Sequence, residues 1–402
     1  METASAAAGP CAGIRVLDFS TVISGPLPTQ ALGDLGADVI KVEPPTGDPS
    51  RYAGAPFREP GFSAMLTQFN RNKRSIVLDL KQPAAQAAAR RLAETCDVVL
   101  QNYRPGVAER LGLDYPQLCA GNPGLIFVSI TGFGSDGPYA ELPAYDHVIQ
   151  GMTGMMPLQG SEQEPRLVQG GVADKTTGLT ALSAVLAALL ARERNGGRGQ
   201  RVDVPMLDAY AAFALPEAMI SRTFPPLESD GPSMGSVFRT WETADGHVVG
   251  LVIRDAEFQG LCRAIGREDM LDDPRFTGIV DRFANFDAWA EIAEDEIRKL
   301  PTREFIARAR ELGAPFAPVL DVDAFLSDPQ TAHNQTAVEL PDPRFAGEGS
   351  TRYLRHPVRY ERTPATLRRH PPRLGEHTDE VLSEAGFSPD EIAELRSGGS
   401  IR

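Results

Sequence analysis

The stretch GIRVLDFSTVISGPLPTQALGDLGADVIKVE, residues 13–43, decides the fold. Ile14–Phe19 and Ala37–Val42 are short apolar runs typical of buried strands. Between them Thr29–Leu35 has the length of a short helix, which ends at Gly36. A strand, a helix and a second strand in this order predict a βαβ unit with parallel strands.

The same alternation continues through the first half of the chain. Further strands are predicted at Ile76–Leu80, Asp97–Gln101 and Leu125–Ile130, with a helix over about Ala84–Thr95 and a long one over about Asp174–Arg194. Helices of this length between strands favour a parallel sheet covered on both faces. The predicted fold class is therefore open α/β.

The sequence changes in character after about residue 225. Residues 1–225 are predicted to form a large α/β domain and residues 226–330 a smaller α+β domain. The smaller domain opens with VFRTWETADGHVVGLVI, in which Asp245–Gly246 is a strong two-residue turn signal for a β-hairpin. From about Asp323 the chain is rich in proline and arginine and is expected to be irregular, and residues 331–402 are expected to return to the large domain.

The composition excludes several classes of function. The net charge of −14 argues against nucleic acid as a partner, because phosphates need a basic face. Four cysteines and six histidines are scattered without metal-ligand spacing, so no metal site is expected. The longest apolar run, Ala181–Ala191, is too short to span a bilayer and predicts a buried helix. Residues 1–10 lack the features of a signal peptide, so a cytoplasmic protein without a membrane partner is expected.

The stretch ITGFGSDGPY, residues 130–139, follows a predicted strand and contains a G-x-G-x-x-G spacing formed by Gly132, Gly134 and Gly137. That spacing binds dinucleotides when its glycines open a helix. Here two prolines bracket the residues that would form the first helical turn. The stretch is therefore interpreted as a rigid ligand-binding loop at the carboxyl end of a strand, and not as a nicotinamide or flavin site.

Several charged residues stay undecided when each is taken alone. Asp174 begins the long helix, where an acid is favoured by the helix dipole whether or not it is catalytic. The acids at the ends of strands are compatible with exposure to water. The isolated basic residues are compatible with ordinary surface positions. These residues are Asp18, Glu43, Lys41, Lys73, Lys81, Arg104 and Arg110.

Taken in order, blocks of this sequence resemble the class III CoA-transferase family, which includes formyl-CoA transferase and shares its fold with α-methylacyl-CoA racemase. The blocks run from residue 13 to residue 382 and include NRNKRSIVLDLK, DVVLQNYRPGVAERLGL, GLIFVSITGFGSDGPYA, GQRVDVPMLDA, TADGHVV and GEHTDEVL. Their number and order make the resemblance more specific than any single motif.

The resemblance implies a Rossmann-like large domain, a small domain and an interlocked homodimer. It also implies transfer of coenzyme A from an acyl-CoA thioester to a carboxylic acid, with an aspartate that forms an anhydride and then an aspartyl-CoA thioester. Asp174 falls at the position of that aspartate, and the helix dipole is expected to keep it ionised. No permanently bound cofactor is implied, because the CoA thioester is itself a substrate.

Other residues take their expected roles from the same resemblance. Arg110 and Lys81 match positions that hold CoA phosphates, and Arg104 matches an arginine that lines the CoA site. Tyr145 and Asp146 match a tyrosine–carboxylate pair beside the nucleophile. The glycines of the loop, Gly132 and Gly134, are expected to give the backbone room near CoA.

The sequence departs from the family pattern in three places: at one residue near the active site, at one residue near CoA, and in a glycine-rich loop of the small domain that this sequence lacks. Ile23 stands where formyl-CoA transferase has a glutamine, and Pro44 where it has an arginine, so larger or less polar acyl groups than formate and oxalate are expected. Racemisation of 2-methylacyl-CoA is an alternative, but Tyr145 occupies the position of the racemase histidine, and His147 lies two residues on. A non-catalytic CoA-binding protein is the alternative from another class.

Overall fold

The structure, a computed structural model, describes residues 9–225, 237–345 and 349–402. Internal contacts divide the chain into a first unit, Met1–Leu215 with Gln335–Arg402, and a second unit, Pro216–Asn334. The sequence instead places the divisions at 225/226 and 330/331. Residue 226, the predicted start of the smaller domain, and residues 1–8 lie outside the described part of the chain.

Most strands of the first unit form one parallel sheet. In chain order the strands are β1 Arg15–Asp18, β2 Asp38–Glu43, β3 Phe57–Glu59, β4 Phe62–Ser63, β5 Lys73–Val77, β6 Val98–Gln101, β7 Ile126–Thr131, β8 Arg201–Pro205, β9 Thr240–Glu242, β10 His247–Gly250, β11 Phe316–Pro318, β12 Ala337–Pro341 and β13 Ser350–Leu354. The sheet has the order β5-β2-β1-β6-β7-β8, and every neighbouring pair in it is parallel. The predicted open α/β class with a parallel sheet is confirmed.

Helices connect these strands and form most of the second unit. In chain order they are α1 Pro26–Asp34, α2 Ala64–Phe69, α3 Pro83–Glu94, α4 Val107–Arg110, α5 Tyr115–Gly121, α6 Asp146–Met152, α7 Met155–Gln159, α8 Val172–Arg194, α9 Met206–Ala214, α10 Pro216–Met219, α11 Asp255–Ala264, α12 Ile279–Ala284, α13 Phe286–Ile297, α14 Thr302–Glu311, α15 Val322–Ser327, α16 Pro329–Asn334, α17 Thr378–Glu384 and α18 Pro389–Ser397.

The inner strands β1, β6 and β7 of the parallel sheet are buried, which explains why they are nearly continuous apolar runs, whereas the edge strand β8 is partly exposed. One face packs against α1, α8 and α9, with Val98, Val128 and Val185 in its core. The other packs against α3 and α17, with Val99 and Leu382 in its core. The C-terminal segment therefore belongs to the core of the first unit.

Two local predictions were wrong for physical reasons. β5 begins at Lys73, three residues before the predicted start, because its polar first residues are buried and paired instead of solvated. The region after Asp323 was expected to be irregular, yet β12 and β13 pair antiparallel over five positions, Ala337↔Leu354 to Pro341↔Ser350. In both places tertiary partners override what the local pattern indicates.

The second unit contains the predicted hairpin. β9 and β10 pair antiparallel on either side of Asp245–Gly246, and β11 adds a third strand that the sequence did not reveal. Trp241 and Trp289 are buried against each other, with ring centroids 6.0 Å apart. These aromatic contacts form a core separate from that of the first unit.

α8 has one buried and one exposed face. By length and composition alone this helix could cross a membrane, but the core helix of a water-soluble protein passes the same test. Only 33% of its most apolar stretch is buried, and Leu179, Leu186 and Leu190 are exposed. The expectation that Ala181–Ala191 is a buried helix is therefore right for one face only.

Six charged side chains are buried together beneath the carboxyl ends of β1 and β2. Lys73 Nζ lies 3.0 Å from Asp18 Oδ2, and Lys41 Nζ lies 2.7 Å from Asp48 Oδ2. Their formal charges cancel, so the group is buried as paired ions. We call it the buried charge cluster: Asp18, Lys41, Glu43, Asp48, Arg51 and Lys73.

The buried charge cluster perturbs the acid–base properties of its members. Burial alone would raise the pKa of Asp18, but Lys73, Lys41 and hydrogen bonds from Ser20 and Thr29 lower it below its usual range. Burial lowers the pKa of Lys73 to about 8, although Asp18 opposes the change. The interpretation of Asp18 and Glu43 as water-exposed strand ends was wrong. Both carboxylates are buried against basic side chains, and the sequence alone does not show which residues pair in the core.

We predict that Lys41→Met destabilises the protein by about 3–5 kcal/mol, because Asp48 would stay buried without its cation. Urea denaturation followed by circular dichroism measures the change. Lys81→Met, at an exposed position, is the matched control and is expected to change the free energy of unfolding by no more than about 0.5 kcal/mol. Equal effects of the two substitutions would contradict a structural role for the cluster.

Candidate active site

The candidate site is built around the first turn of α8. Gly171 precedes the helix with a φ of +67°, a left-handed conformation that glycine adopts without strain. Asp174 is the third residue of the helix, and its backbone N–H, which has no partner within the helix, donates to Asp146 Oδ2 at 3.0 Å. Asp146 on α6 therefore caps α8 from a neighbouring helix, and the structure brings together the two predicted carboxylates.

Asp174 lies on the face of α8 that packs against the core. At about 100° per residue it shares one side of the helix with Gly178, Ala181 and Val185, all of which are buried. Burial, and then the charge of Asp146, raise the pKa of Asp174 to about 6, while a hydrogen bond from Ser24 opposes the rise. The helix dipole was expected to keep this carboxyl ionised. Burial and the second carboxylate outweigh the dipole and raise the pKa, but a pKa of about 6 still leaves the group mostly ionised at neutral pH.

The loop between β1 and α1 flanks the same turn of α8. A Cβ on Gly171 would lie 3.6 Å from Ile23 Cδ1, and a Cβ on Gly178 would lie 3.1 Å from the carbonyl oxygen of Ser24. Ile23 therefore supplies an apolar side chain beside the start of the helix. Ser24 supplies the hydroxyl that bonds to Asp174.

This loop is held in a strained conformation. Val22 has a φ of +70°, a value that a β-branched residue rarely adopts. The Val22 N–H lies 3.3 Å from Asp48 Oδ1 in the buried charge cluster. The Asn102 side chain accepts from the Thr21 N–H at 3.0 Å and donates to Ser24 Oγ at 3.3 Å. No local sequence pattern points to Ser24 or Asn102, because their partners lie far away along the chain.

The glycine loop after β7 does not open a helix. Gly132 is required by a close approach, since a Cβ there would lie 2.2 Å from the Cβ of Ala144. The Gly134 N–H donates to Thr131 Oγ1 at 3.1 Å, and the next helix begins only at Asp146. The loop thus leads from the sheet to Tyr145, which is 65% exposed and stacks on the ring of His147, with centroids 6.1 Å apart.

Of the predicted CoA-binding residues, only Arg104 lines a cavity at the carboxyl ends of β6 and β7. This cavity has a volume of about 230 Å³, and its wall includes Tyr103, Ser129 and Thr131. Arg110 is exposed, and its guanidinium lies 3.1 Å from where a Cβ on Gly106 would stand. Lys81 is exposed on the loop after the edge strand β5, three strands away from β6 in the sheet order.

No cluster of three His, Cys, Asp or Glu side chains suited to a metal occurs in residues 9–225, 237–345 and 349–402. What the site does contain is two carboxylates at a helix N-terminus, an apolar side chain beside them and an arginine-lined cavity at the same edge of the sheet. A half-buried carboxylate with a raised pKa is a suitable nucleophile, because it is basic and still ionised at neutral pH.

Residues 11–378 match the family described as CoA-transferase family III. The chain belongs to this family. It is 36% identical to the succinate–glutarate CoA-transferase of Agrobacterium fabrum over 93% of this chain and 95% of that protein. It is also 32% identical to a formyl-CoA:oxalate CoA-transferase of Escherichia coli over 98% of this chain and 99% of that one.

Solved structures of the family share this fold. A CAIB/BAIF family protein from Brucella suis has a TM-score of 0.81 and 33% sequence identity, and the match covers 94% of this chain and all of that one. The resemblance found in the sequence is therefore confirmed, and the chain is a class III CoA-transferase.

We predict that Asp174→Asn stabilises this CoA-transferase at pH 7.5 by about 1–2 kcal/mol. The pKa of Asp174 rises from 3.8 in the unfolded chain to about 6 in the folded protein. The folded state therefore holds the extra proton, and stability that is present below pH 4 is lost as the pH rises through 6. Urea denaturation at pH 4.5 and pH 7.5 measures the gain, which is expected to be smaller at pH 4.5.

Asp208→Asn is the matched control, because Asp208 is also the third residue of a helix but is exposed. There the loss of a favourable charge–dipole contact is expected to cost about 0.3–1 kcal/mol. A loss of stability in Asp174→Asn at pH 7.5 would contradict the raised pKa.

Proposed function

We propose that this class III CoA-transferase moves coenzyme A from an acyl-CoA to a carboxylic acid through covalent intermediates on Asp174. The observation that carries the proposal is a half-buried carboxylate in the first turn of α8, with a pKa of about 6 and with Asp146 beside it. A group with that pKa is about 90% ionised at pH 7.

The proposed steps need neither a metal ion nor a proton transfer. The Asp174 carboxylate attacks the thioester carbonyl, the C–S bond breaks, and the electron pair leaves on sulfur to give a mixed anhydride and CoA thiolate. The thiolate attacks the Asp174 carbonyl and releases the donor acid as a carboxylate, which leaves an aspartyl-CoA thioester. The acceptor carboxylate then repeats both steps in reverse order and frees Asp174.

The raised pKa supports the first of these steps. An acid with an ordinary pKa near 4 is a poor nucleophile against a thioester, whose leaving thiolate has a pKa of about 8.5. Because the pKa of Asp174 is about 6, the difference between the pKa of the attacking acid and that of the leaving thiol is smaller by about two pH units. Most of the carboxyl is still ionised at neutral pH. Each tetrahedral oxyanion also needs N–H donors, and helix N-termini and glycine loops can supply them.

We propose that CoA lies along the carboxyl edge of the sheet. Arg104 would meet its phosphates from the cavity between β6 and β7, because guanidinium groups bind phosphate bidentately. Arg110 and Lys81 are exposed and free to contribute at the periphery. Gly132 and Gly134 lie on the loop that borders the path toward Tyr145 and would leave space for the pantetheine arm.

We propose small dicarboxylates of four or five carbons as substrates. The proposal is supported by the similarity to the succinate–glutarate enzyme and by Ile23, whose apolar side chain lies near the start of α8. An apolar side chain there favours the methylene groups of such acids over formate or oxalate, which have none.

We predict that Asp174→Ala lowers the rate of CoA transfer at least about a thousandfold while CoA still binds. Hydroxylamine added during turnover of the wild-type enzyme should convert residue 174 into a hydroxamate, detected by peptide mass spectrometry. Asp208→Asn, with its carboxylate at the same helix position, should retain the wild-type rate.

Three outcomes would contradict the proposal. Turnover without any hydroxamate on the peptide that contains Asp174 would exclude the covalent route. Exchange of the α-proton of a 2-methylacyl-CoA with solvent, in the absence of an acceptor acid, would instead indicate racemisation. Wild-type activity in Asp174→Ala would favour the non-catalytic alternative for this site.

We propose further that two copies of the chain associate through the exposed face of α8. Leu179, Leu186 and Leu190 recur on one side of the helix, roughly opposite Asp174, and Phe213 of the adjacent α9 is also exposed. Apolar stripes of this kind mark interaction surfaces. A second copy is the occupant that the family resemblance favours, in an interlocked arrangement.

Sedimentation analysis is expected to give twice the 43.4 kDa mass of the chain. Leu190→Glu should weaken the dimer, because it places a charge in an apolar interface. Val322→Glu, at an exposed apolar position in the second unit, is the control and should leave the mass unchanged. A monomeric wild-type protein, or one that binds to lipid vesicles through α8, would contradict the proposal.

A further inference from the structure

A buried glutamine connects the site to the backbone that leads into α8. Gln150, on α6, is 2% exposed. Its Oε1 accepts from the Val168 N–H at 3.0 Å, and its Nε2 donates to the Val168 carbonyl at 3.1 Å. The side-chain amide is thus fixed in orientation by both groups of one backbone residue.

The same amide nitrogen reaches Asp146. Gln150 Nε2 donates to Asp146 Oδ1 at 2.6 Å, and Asp146 Oδ2 accepts from the Asp174 N–H at 3.0 Å. An amide group has two N–H donors, and here each one has a partner. One oxygen of Asp146 is therefore committed to Gln150, and the other to the first turn of α8.

We propose that Gln150 is a positioning residue that joins Val168 to the Asp146 carboxylate and so holds that carboxylate against the backbone of Asp174. Asp146 is only partly buried, so without this donor its side chain is free to rotate toward water. Glutamic acid at position 150 would repel Asp146, and an apolar residue could not donate. Glutamine carries no charge and can donate a hydrogen bond, so it suits this position.

The proposed role affects chemistry because Asp146 is the neighbouring charge that acts on the Asp174 carboxyl. Its charge is the second cause, after burial, of the raised pKa of Asp174. Other titratable groups near this turn include Lys175, which is exposed, and Tyr210 on α9, whose own pKa is raised by burial and by Asp146. Tyr145 and His147, which flank Asp146 in the chain, are exposed. Holding Asp146 in place therefore keeps Asp174 basic.

The inference rests on the proposed function only where it links Gln150 to catalysis. The effect of Gln150 on the pKa of Asp174 can be tested without substrate. The carboxyl ¹³C resonance of Asp174 is titrated in the free enzyme and is assigned as the signal missing from Asp174→Asn. Asp146→Asn, Gln150→Met and the double variant form a cycle that isolates the effect transmitted through Asp146. Gln86→Met is the control, since Gln86 bonds to the Leu80 carbonyl at 2.9 Å, away from the site.

We predict that Asp146→Asn lowers the pKa of Asp174 by about one pH unit, because it removes a neighbouring like charge. Gln150→Met should lower it in the same direction, the double variant should match Asp146→Asn alone, and Gln86→Met should leave it unchanged. Gln150→Asn, whose amide is too short to reach both partners, replaces Gln150→Met if that variant does not fold.

The proposal is overturned if Gln150→Met leaves the pKa of Asp174 unchanged, or if its effect adds in full to that of Asp146→Asn. These outcomes are independent of hydroxylamine trapping. If hydroxylamine does not modify Asp174, this residue is not the covalent nucleophile. If the double-mutant cycle gives one of the contradicting results, only the proposed role of Gln150 is wrong.

Discussion

The buried charge cluster is the constraint on which the rest of the site depends. Its charged groups are removed from water, and only close contacts between opposite charges offset the free energy of that desolvation. The positions of these side chains are therefore fixed. One member, Asp48, also accepts from the strained backbone at Val22, where the loop after β1 turns toward α8. The loop that carries Ile23 and Ser24 is thus fixed by ions that belong to the fold, so the candidate site cannot relax without disturbing the core of the first unit.

Asp174 is placed between opposing influences. Its helix face runs into the core, which favours the neutral acid, and Asp146 adds a like charge. The helix N-terminus and the Ser24 hydroxyl favour the anion. The result is a carboxylate more basic than one in water but charged at neutral pH. A more exposed aspartate would be a weaker nucleophile, and a fully buried one would hold its proton and not attack.

Much of the fold followed from the sequence because parallel strands are buried on both faces and show as apolar runs, as in Ile14–Phe19 and Leu125–Ile130. The start of β5 was missed because Lys73 is buried through partners distant in sequence. The same limit applies to the site. The position of Asp174 at a helix start was visible, and the family resemblance gave its proposed role. Ser24 and Asn102 act through contacts that no local pattern encodes. Gln150 stands four residues after Asp146, a spacing that places both on one helix face, but its contact with Val168 is not visible in the sequence.

One helix combines the proposed chemistry with the proposed association. Asp174 stands at the end of the core-facing side of α8, while Leu186 and Leu190 lie on the opposite side, about 18–24 Å further along the axis. Leu179, on the same exposed side, lies only about 7.5 Å along the axis from Asp174, so the proposed interface would begin within two turns of the carboxylate. The side chains that tune the charge of Asp174, Asp146 and Ser24, nevertheless belong to the same chain as the carboxylate, so its raised pKa does not depend on the proposed association.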